Sequence, residues 1–265
     1  MDYIKVIILG IVQGLTEFLP VSSSGHLELA KILLGSTSAL ESQGLLLTLI
    51  LHAATALSTV VVFRKDIAEL LQQILRGDSE GIRFAGMIVL SMIPAVGVGL
   101  FFKDAIEALF NGNLFLVGGM LWVTAFLLFV ANRPSSKNKR ELSPKNSFLI
   151  GLMQAFAILP GVSRSGSTIA TAIAMGINRS EAARFSFLMV IPLIFGSMAK
   201  SVLDAQSAVV AVPAGLLICG FVSAFITGII ACRWMIALVE KSRLQYFAYY
   251  CLIVGTLAIS YGVFS

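Results

Sequence analysis

Six apolar runs, each long enough to cross a lipid bilayer, constrain the fold of this chain more than any other feature of its sequence. A transmembrane helix needs about 20 apolar residues to cross the ~30 Å hydrocarbon core. The runs that meet this length lie at residues 45–63, 85–102, 113–131, 183–203, 210–232 and 244–264. Of the 265 residues, 57% are hydrophobic and only 12% are charged, which is a low charged share for a soluble domain. A water-soluble fold is therefore excluded, and the sequence predicts one all-α polytopic membrane domain over residues 1–265.

Two further apolar stretches, 4–35 and 147–176, are too long for one span, and each is interrupted near its middle. The interruptions are rich in Pro, Ser and Gly and lie at 18–26 and 159–167. Each half holds about 15 residues, which at 1.5 Å per residue reach only to the bilayer centre. The sequence therefore predicts two re-entrant helix-loop-helix hairpins in addition to six transmembrane helices.

Lysine and arginine are distributed unevenly over the loops of this arrangement. Fourteen of the nineteen lie in four segments on one side of the membrane, and four lie on the other side. The four basic segments are 64–83, 132–147, 177–184 and 233–243. Because cytoplasmic loops collect basic residues, both chain termini are predicted to lie outside. The net charge of +5 is then topological, and nucleic acid is not an expected partner. The first hairpin enters from outside and the second from the cytoplasm, so that their tips meet near the midplane.

The two hairpins belong to an internal repeat, which appears when the chain is shifted by 141 residues against itself. The identical pairs are Gly10 and Gly151, Gln13 and Gln154, Val21 and Val162, Ser22 and Ser163, Ser24 and Ser165, Gly25 and Gly166, and Gly35 and Gly176. The repeats cover about 4–131 and 147–264, and a cytoplasmic linker at 132–146 joins them. Because each repeat holds one hairpin and three spans, the second copy is inverted in the membrane. Broken helices in inverted-topology repeats build sites at the repeat interface.

The first hairpin carries one small and polar stripe along an otherwise apolar helix. Gly10, Gln13, Gly14 and Glu17 follow one another at helical spacing. An acidic side chain at this depth costs about 2.5–3.5 kcal/mol, so Glu17 is predicted to be buried with a cation or a hydrogen-bond donor. Gln13 supplies either a carbonyl oxygen to the same ion or an interhelical hydrogen bond. The lone His52, inside an apolar span, is interpreted as a packing residue.

A Ser- and Gly-rich stretch after each break opens a new helix, where serine is a natural N-cap. Free N–H groups and the helix dipole make such an N-terminus an anion site. The predicted anion-binding residues are Ser22, Ser24, Gly25, Ser163, Ser165 and Gly166. Arg164 adds a guanidinium group that suits phosphate oxygens, unless it only forms a structural salt bridge with Glu17. His26 is predicted to face the same anion.

Two long motifs carry a resemblance to a known family. Residues 13–26, Q-G-L-T-E-F-L-P-V-S-S-S-G-H, and residues 160–168, P-G-V-S-R-S-G-S-T, resemble the two signatures of the undecaprenyl-diphosphate phosphatase (bacitracin-resistance) family. The similarity extends to residues 184–188 and 191–192. The resemblance implies removal of the terminal phosphate from undecaprenyl diphosphate, which recycles the lipid carrier for peptidoglycan. It also implies Mg²⁺ or Ca²⁺ dependence and a site open to the outer side of the bacterial plasma membrane.

The resemblance also implies roles for individual residues. The predicted catalytic residues are Glu17, Ser23, His26 and Arg164, with Ser163, Ser22, Ser24 and Thr168 in support. His26 is the general base or the nucleophile, and Ser23 is the competing nucleophile. Glu17 and Gln13 are the predicted metal ligands, although the family often has Glu at the position of Gln13. The expected partners are a polyprenyl diphosphate lipid and the bilayer, and a homodimer is left open.

Two other functions compete with this one. A polyprenyl-phosphate transporter or flippase is the main alternative, because inverted repeats with broken helices are a transporter design. The acid-phosphatase-like lipid phosphatases are the second, but their catalytic His six residues beyond the Arg falls on Ala170, and Phe126 stands in place of their motif lysine. The cluster of Glu17, Ser23 and His26 beside an arginine is richer than a binding site requires, and it favours an enzyme.

Overall fold

Twelve helices form from the residues that the computed structural model describes, which are 3–34, 38–109, 113–132, 140–204 and 212–264. The helices are α1 Tyr3–Phe18, α2 Ser23–Leu33, α3 Ser38–Val62, α4 Arg64–Leu75, α5 Ser79–Phe101, α6 Lys103–Leu109, α7 Leu114–Ala131, α8 Pro144–Phe156, α9 Arg164–Ala174, α10 Arg179–Asp204, α11 Ala214–Glu240 and α12 Gln245–Phe264. Gly35 of the predicted repeat, residues 133–139 of the predicted linker and the first two residues of the span 210–232 lie outside these ranges. The predicted all-α fold is confirmed.

Membrane spans are found where the sequence predicts them. Five helices, α5, α7, α10, α11 and α12, are long and apolar enough to cross a bilayer. The bent pair of α3 and α4, with an angle of 72° between its helices, raises the number to as many as six. The sequence predicts only a cytoplasmic loop at 64–83, whereas the structure has the helix α4 there, with no buried residue. Its apolar positions are too few for a span, and a short amphipathic helix of this kind suits the membrane surface.

The two interrupted stretches fold as helix-break-helix hairpins. α1 and α2 form the first hairpin, with its break at 19–22, and α8 and α9 form the second, with its break at 157–163. Each half holds between 11 and 16 residues, which is fewer than a span requires. Positive φ angles at Ser22 (71°) and Gly161 (96°) turn the backbone within the two breaks.

The first helix of each hairpin packs against a span from the other half of the chain. α1 lies along α11, and α8 lies along α5. Glycine allows these close approaches, because a Cβ atom at Gly14 would lie 2.6 Å from the Ala224 carbonyl oxygen, and one at Gly151 would collide with the Ser91 backbone. The first helix of each repeat therefore packs on a span of the other repeat, which is the arrangement that the internal repeat predicts. A large buried apolar cluster includes Phe18 and Val21 at the first break, and Ile150 and Ile169 from the two helices of the second hairpin.

Candidate active site

A salt bridge between Glu17 and Arg164 joins the two hairpins at their breaks. Glu17 lies in the last turn of α1, and its side chain is 5% exposed. Arg164 is the first residue of α9, and its side chain is 26% exposed. The sequence prediction that the hairpin tips meet is therefore confirmed. Since Arg164 keeps some exposure, its guanidinium has donors to spare for a second anion.

The second oxygen of the Glu17 carboxylate holds two neighbours from its own hairpin. Ser23 Oγ donates to Glu17 Oε2 over 2.7 Å, and Gln13 Nε2 donates to the same atom over 3.0 Å. Gln13 Nε2 also lies 3.5 Å from Thr55 Oγ1 of α3. The buried carboxylate is thus held by three donor groups, and one of them is a hydroxyl group. A serine that donates to a carboxylate oriented by an arginine resembles an activated nucleophile.

The N-terminus of the second helix in each hairpin is built in the same way. Ser22 Oγ accepts from Gly25 N over 3.3 Å, and Ser163 Oγ accepts from Gly166 N over 3.1 Å. The serine two residues later lies close to each cap, with 3.2 Å between the Oγ atoms of Ser22 and Ser24 and 3.4 Å between those of Ser163 and Ser165. Ser22 and Ser163 are almost fully buried. Both are N-caps as well as members of the predicted anion site.

The two predicted glycines lie at the contact between the hairpins. A Cβ atom at Gly25 would lie 3.3 Å from Gly161 Cα, and one at Gly166 would lie 3.1 Å from Pro20 Cβ. Each glycine therefore leaves room for the opposite break, in addition to the role near an anion that the sequence suggests. Thr168 Oγ1 donates to the Arg164 carbonyl oxygen over 2.9 Å, so it braces the first turn of α9.

A cavity of about 590 Å³ opens beside the salt bridge. Its wall includes five of the predicted site residues, Glu17, Ser23, Ser24, Ser163 and Arg164. Apolar side chains from α5 and α10 form much of the remaining wall, among them Met92, Val96, Leu193 and Met198. Charged and polar groups at the salt bridge therefore share the wall with many apolar side chains, which suits a molecule with an anionic head and a hydrocarbon tail.

His26 is the predicted catalytic residue that the structure places away from this cavity. Within the described residues it is not part of the cavity wall. Its Nδ1 lies 2.8 Å from the Ser22 carbonyl oxygen, and its Nε2 lies 2.8 Å from the Tyr250 hydroxyl oxygen. The ring also stacks on Tyr250, with 5.5 Å between the ring centroids. Both ring nitrogens are therefore within hydrogen-bond distance of a partner. The contact with Tyr250, which is 224 positions away in the chain, could not be predicted from the sequence.

Several polar residues of the wall belong to neither motif. They are Thr48, His52 and Gln154, together with Ser197 and Lys200 near the end of α10. The interpretation of His52 as a packing residue stays a prediction, although His52 also lines the cavity. Its Nδ1 lies 2.8 Å from the Thr48 carbonyl oxygen. The spacing of Thr48, His52 and Thr55 places all three on one face of an apolar span, and this pattern is the signal that could have indicated a polar surface around His52.

The donor set near Glu17 is small for a metal ion. Among the residues that the structure describes, no group of three or more His, Cys, Asp or Glu side chains could hold a metal. Gln13 Oε1 is buried and has no hydrogen-bond partner there, so one amide oxygen is available beside the Glu17 carboxylate. One carboxylate and one amide oxygen fit a hard divalent cation when phosphate oxygens and water complete its coordination. The predicted ligands therefore fit a cation that binds together with a phosphorylated substrate.

Fold and site together define a polytopic membrane protein in which two helix hairpins meet at a charged site beside an apolar cavity. The chain matches the model of the family described as bacitracin resistance protein BacA over residues 6–257, and it belongs to that family. It is 52% identical over 263 residues to the undecaprenyl-diphosphatase of Christiangramia forsetii, and the alignment covers 99% of each chain. It is 44% identical over 266 residues to the enzyme of the same name from Bacteroides fragilis, covering 98% of each. The Methanosphaera stadtmanae protein of that name is 38% identical over 281 residues, covering 99% of each chain.

Proposed function

We propose that this chain is an integral membrane phosphatase that hydrolyses undecaprenyl diphosphate to undecaprenyl phosphate and inorganic phosphate. The observation that carries the proposal is the arrangement of Ser23, Glu17 and Arg164 on the wall of the cavity. Relatives that align over nearly the full chain bear the name of this activity. The reaction recycles the lipid carrier for peptidoglycan synthesis and accounts for the link to bacitracin resistance that the family name records.

The part of the wall around Glu17 and Arg164 binds the diphosphate, and the apolar side chains of the wall hold the first isoprene units. Arg164 donates to phosphate oxygens while it remains near Glu17, and bidentate donation by guanidinium is the strong form of this contact. The N-termini of α2 and α9 add free N–H groups beside the same part of the cavity wall. Ser24 and Ser163, on the cavity wall, add hydroxyl groups. This part of the wall therefore neutralises much of the head-group charge.

Ser23 is the nucleophile that the geometry supports best. Its Oγ attacks the terminal phosphorus and gives its proton to Glu17, while the bond from that phosphorus to the bridging oxygen breaks. Undecaprenyl phosphate leaves, and water then hydrolyses the phosphoserine, which releases inorganic phosphate and restores the Ser23 hydroxyl. His26 holds the first turn of α2 through Tyr250, so we assign it a positioning role.

Glu17 and Gln13 are the residues of this chain that would hold a divalent cation, Mg²⁺ or Ca²⁺, together with oxygens of the diphosphate. The support is the unpaired Gln13 Oε1 next to the single carboxylate. When bound, such an ion neutralises negative charge on the phosphates as the leaving group departs.

The cavity opens to the outer side of the bacterial plasma membrane, and both termini lie on that side. The four basic segments support this orientation. The cavity then lies toward the outer side, because its residues in α5 and α10 come from the C-terminal halves of these helices, which begin at basic segments. Its residues in α3 come from the N-terminal half of the apolar segment Leu46–Val62. A homodimer stays a prediction.

Proteoliposomes that contain the purified protein test this function against the transporter alternative. The substrate is undecaprenyl diphosphate, and both inorganic phosphate release and lipid movement between leaflets are measured. We expect phosphate release with the wild-type protein and none with empty liposomes. Lipid movement without phosphate release would overturn the proposal and favour a flippase.

A further inference from the structure

Gln154 is a buried polar side chain on the cavity wall with no role in the site described above. It lies in the last turn of α8, just before the second break, and is 1% exposed. Both of its amide atoms, Nε2 and Oε1, lack a hydrogen-bond partner within the described part of the chain. Buried polar groups are almost always hydrogen-bonded, so an unpaired amide that borders a cavity points to a ligand.

The repeat explains why this amide is unpaired. Gln154 corresponds to Gln13 under the 141-residue shift. Gln13 donates from Nε2 to Glu17, four residues later on the same helix face. The residue four positions after Gln154 is Ile158, which also lines the cavity and offers no acceptor. The second hairpin therefore presents the same amide as the first, but without the carboxylate that would occupy it.

We infer that Gln154 binds the head group of the substrate, with Nε2 donating to a non-bridging phosphate oxygen. This inference rests on the proposed function and adds a residue outside both motifs to its binding site. Gln154 lines the same cavity as Ser163 and Arg164, so the proposed contact comes from the second hairpin. An amide contributes a donor without a charge, and it leaves Oε1 to accept a hydrogen bond from water in the cavity.

Replacement of Gln154 by methionine separates binding from a structural role. Methionine has a similar length and volume but no hydrogen-bonding amide. Because the amide has no partner in the free protein, we expect the Tm of Gln154→Met to be unchanged or raised. The test substrate is farnesyl diphosphate, a shorter polyprenyl diphosphate. We expect its KM to rise by about ten- to a hundredfold, the range for a lost hydrogen bond to a charged group. Gln154→Glu should be more impaired still, because it places a carboxylate beside the phosphates.

Ser147 provides the matched control on the same helix. It is buried on the face of α8 that carries Gly151 and Gln154, but it is not part of the cavity wall. Ser147→Ala should therefore retain the wild-type KM. If Gln154→Met lowered the Tm and left KM at the wild-type value, Gln154 would be structural and the inference would be wrong.

A second measurement separates this inference from the proposed function. Inorganic diphosphate is titrated against the purified protein, and its effect on the Tm is recorded without any turnover. We expect diphosphate to raise the Tm of the wild-type protein and to have a much smaller effect on Gln154→Met. Equal stabilisation of the two proteins would overturn the inference even if hydrolysis were confirmed. Stabilisation that depends on Gln154 in a protein that hydrolyses nothing would overturn only the proposed function.

Discussion

Glu17 is the residue at which the interactions of both hairpins converge. Its carboxylate accepts from Arg164 of the second hairpin and from Ser23 and Gln13 of the first. A buried charge is tolerated only when it is paired and hydrogen-bonded, and these three groups meet that condition. The same contacts align the Ser23 hydroxyl with a proton acceptor. One set of bonds therefore stabilises the junction and prepares the reaction.

The two candidate nucleophiles are distinguished by their separate variants. Ser23→Ala should reduce kcat by at least about 10³-fold, since it removes the attacking atom. His26→Gln should cost less than about 10²-fold, which is the lower limit for loss of a general base. Both values come from phosphate release at saturating lipid diphosphate. The reverse order, with Ser23→Ala active and His26→Gln inactive, would show that His26 acts on the substrate.

The metal proposal is tested at Gln13. Gln13→Glu adds a second carboxylate to the ligand set, so the Mg²⁺ concentration for half-maximal activity should fall by about tenfold. Without a divalent cation the same variant should have a lower Tm, because two acidic side chains then lie one turn apart. Gln13→Met, which has no ligand atom of this kind, is the control and should need more Mg²⁺ than the wild type. A cation requirement that is the same in all three proteins would contradict the assignment.

Packing between helices depends on glycines, and one pair of them, Gly10 and Gly151, recurs in the two repeats. Gly10 and Gly14 face α11, and Gly151 faces α5. At each of them a Cβ atom would overlap the partner helix, so the hairpins can approach the spans only where the side chain is absent. This packing fixes the positions of Glu17 and Gln154, which follow on the same helices.

Alanine substitutions test this packing. Gly14→Ala and Gly151→Ala should each lower stability by about 1–3 kcal/mol, the usual cost of overpacking. Gly119→Ala in α7 is the matched control, because no heavy atom lies within 4 Å of the Cβ position there. Its Tm should be unchanged or raised, since alanine favours helix. Thermal unfolding in detergent measures all three, and an equal decrease in Tm would show that the contacts with α5 and α11 do not matter.

The elements were predictable from sequence to a greater extent than the contacts of single side chains. Pro, Ser and Gly mark both breaks because they interrupt apolar helices, and the shared motif indicates that the breaks meet. The position of His26 was not predictable, since it depends on stacking against Tyr250 from a distant helix. His52 and Gln154 were visible as polar residues in apolar segments, but only the fold shows that both border the same cavity.

In the molecule as a whole, the cavity lies closer to one end of the membrane spans than to the other. The wall residues of α5, of α10 and of the apolar segment Leu46–Val62 of α3 lie in the halves that are remote from the basic segments. The proposed orientation, with those segments in the cytoplasm, would place the cavity in the outer half of the bilayer. A lipid diphosphate in the outer leaflet would then reach Arg164 without crossing the membrane.

Cysteine labelling tests this orientation. In a background without Cys219, Cys232 and Cys251, single cysteines are placed at Ser197, near the cavity, and at Gln72, in α4. A membrane-impermeant maleimide should label Ser197→Cys in intact cells and Gln72→Cys only after lysis. Labelling of Gln72→Cys in intact cells, with Ser197→Cys protected until lysis, would show that the orientation is reversed.

The central claim is that the junction of the two hairpins hydrolyses the lipid diphosphate. The most direct measurement is the initial rate of phosphate release from undecaprenyl diphosphate by the purified wild type and by Glu17→Gln, Arg164→Gln and Asp66→Asn. Asp66 forms a half-exposed salt bridge with Arg184 outside the site, and surface pairs of this kind contribute little. We predict losses of at least about 10²-fold for the first two variants and near wild-type turnover for Asp66→Asn. Wild-type turnover in Glu17→Gln and Arg164→Gln would contradict the claim.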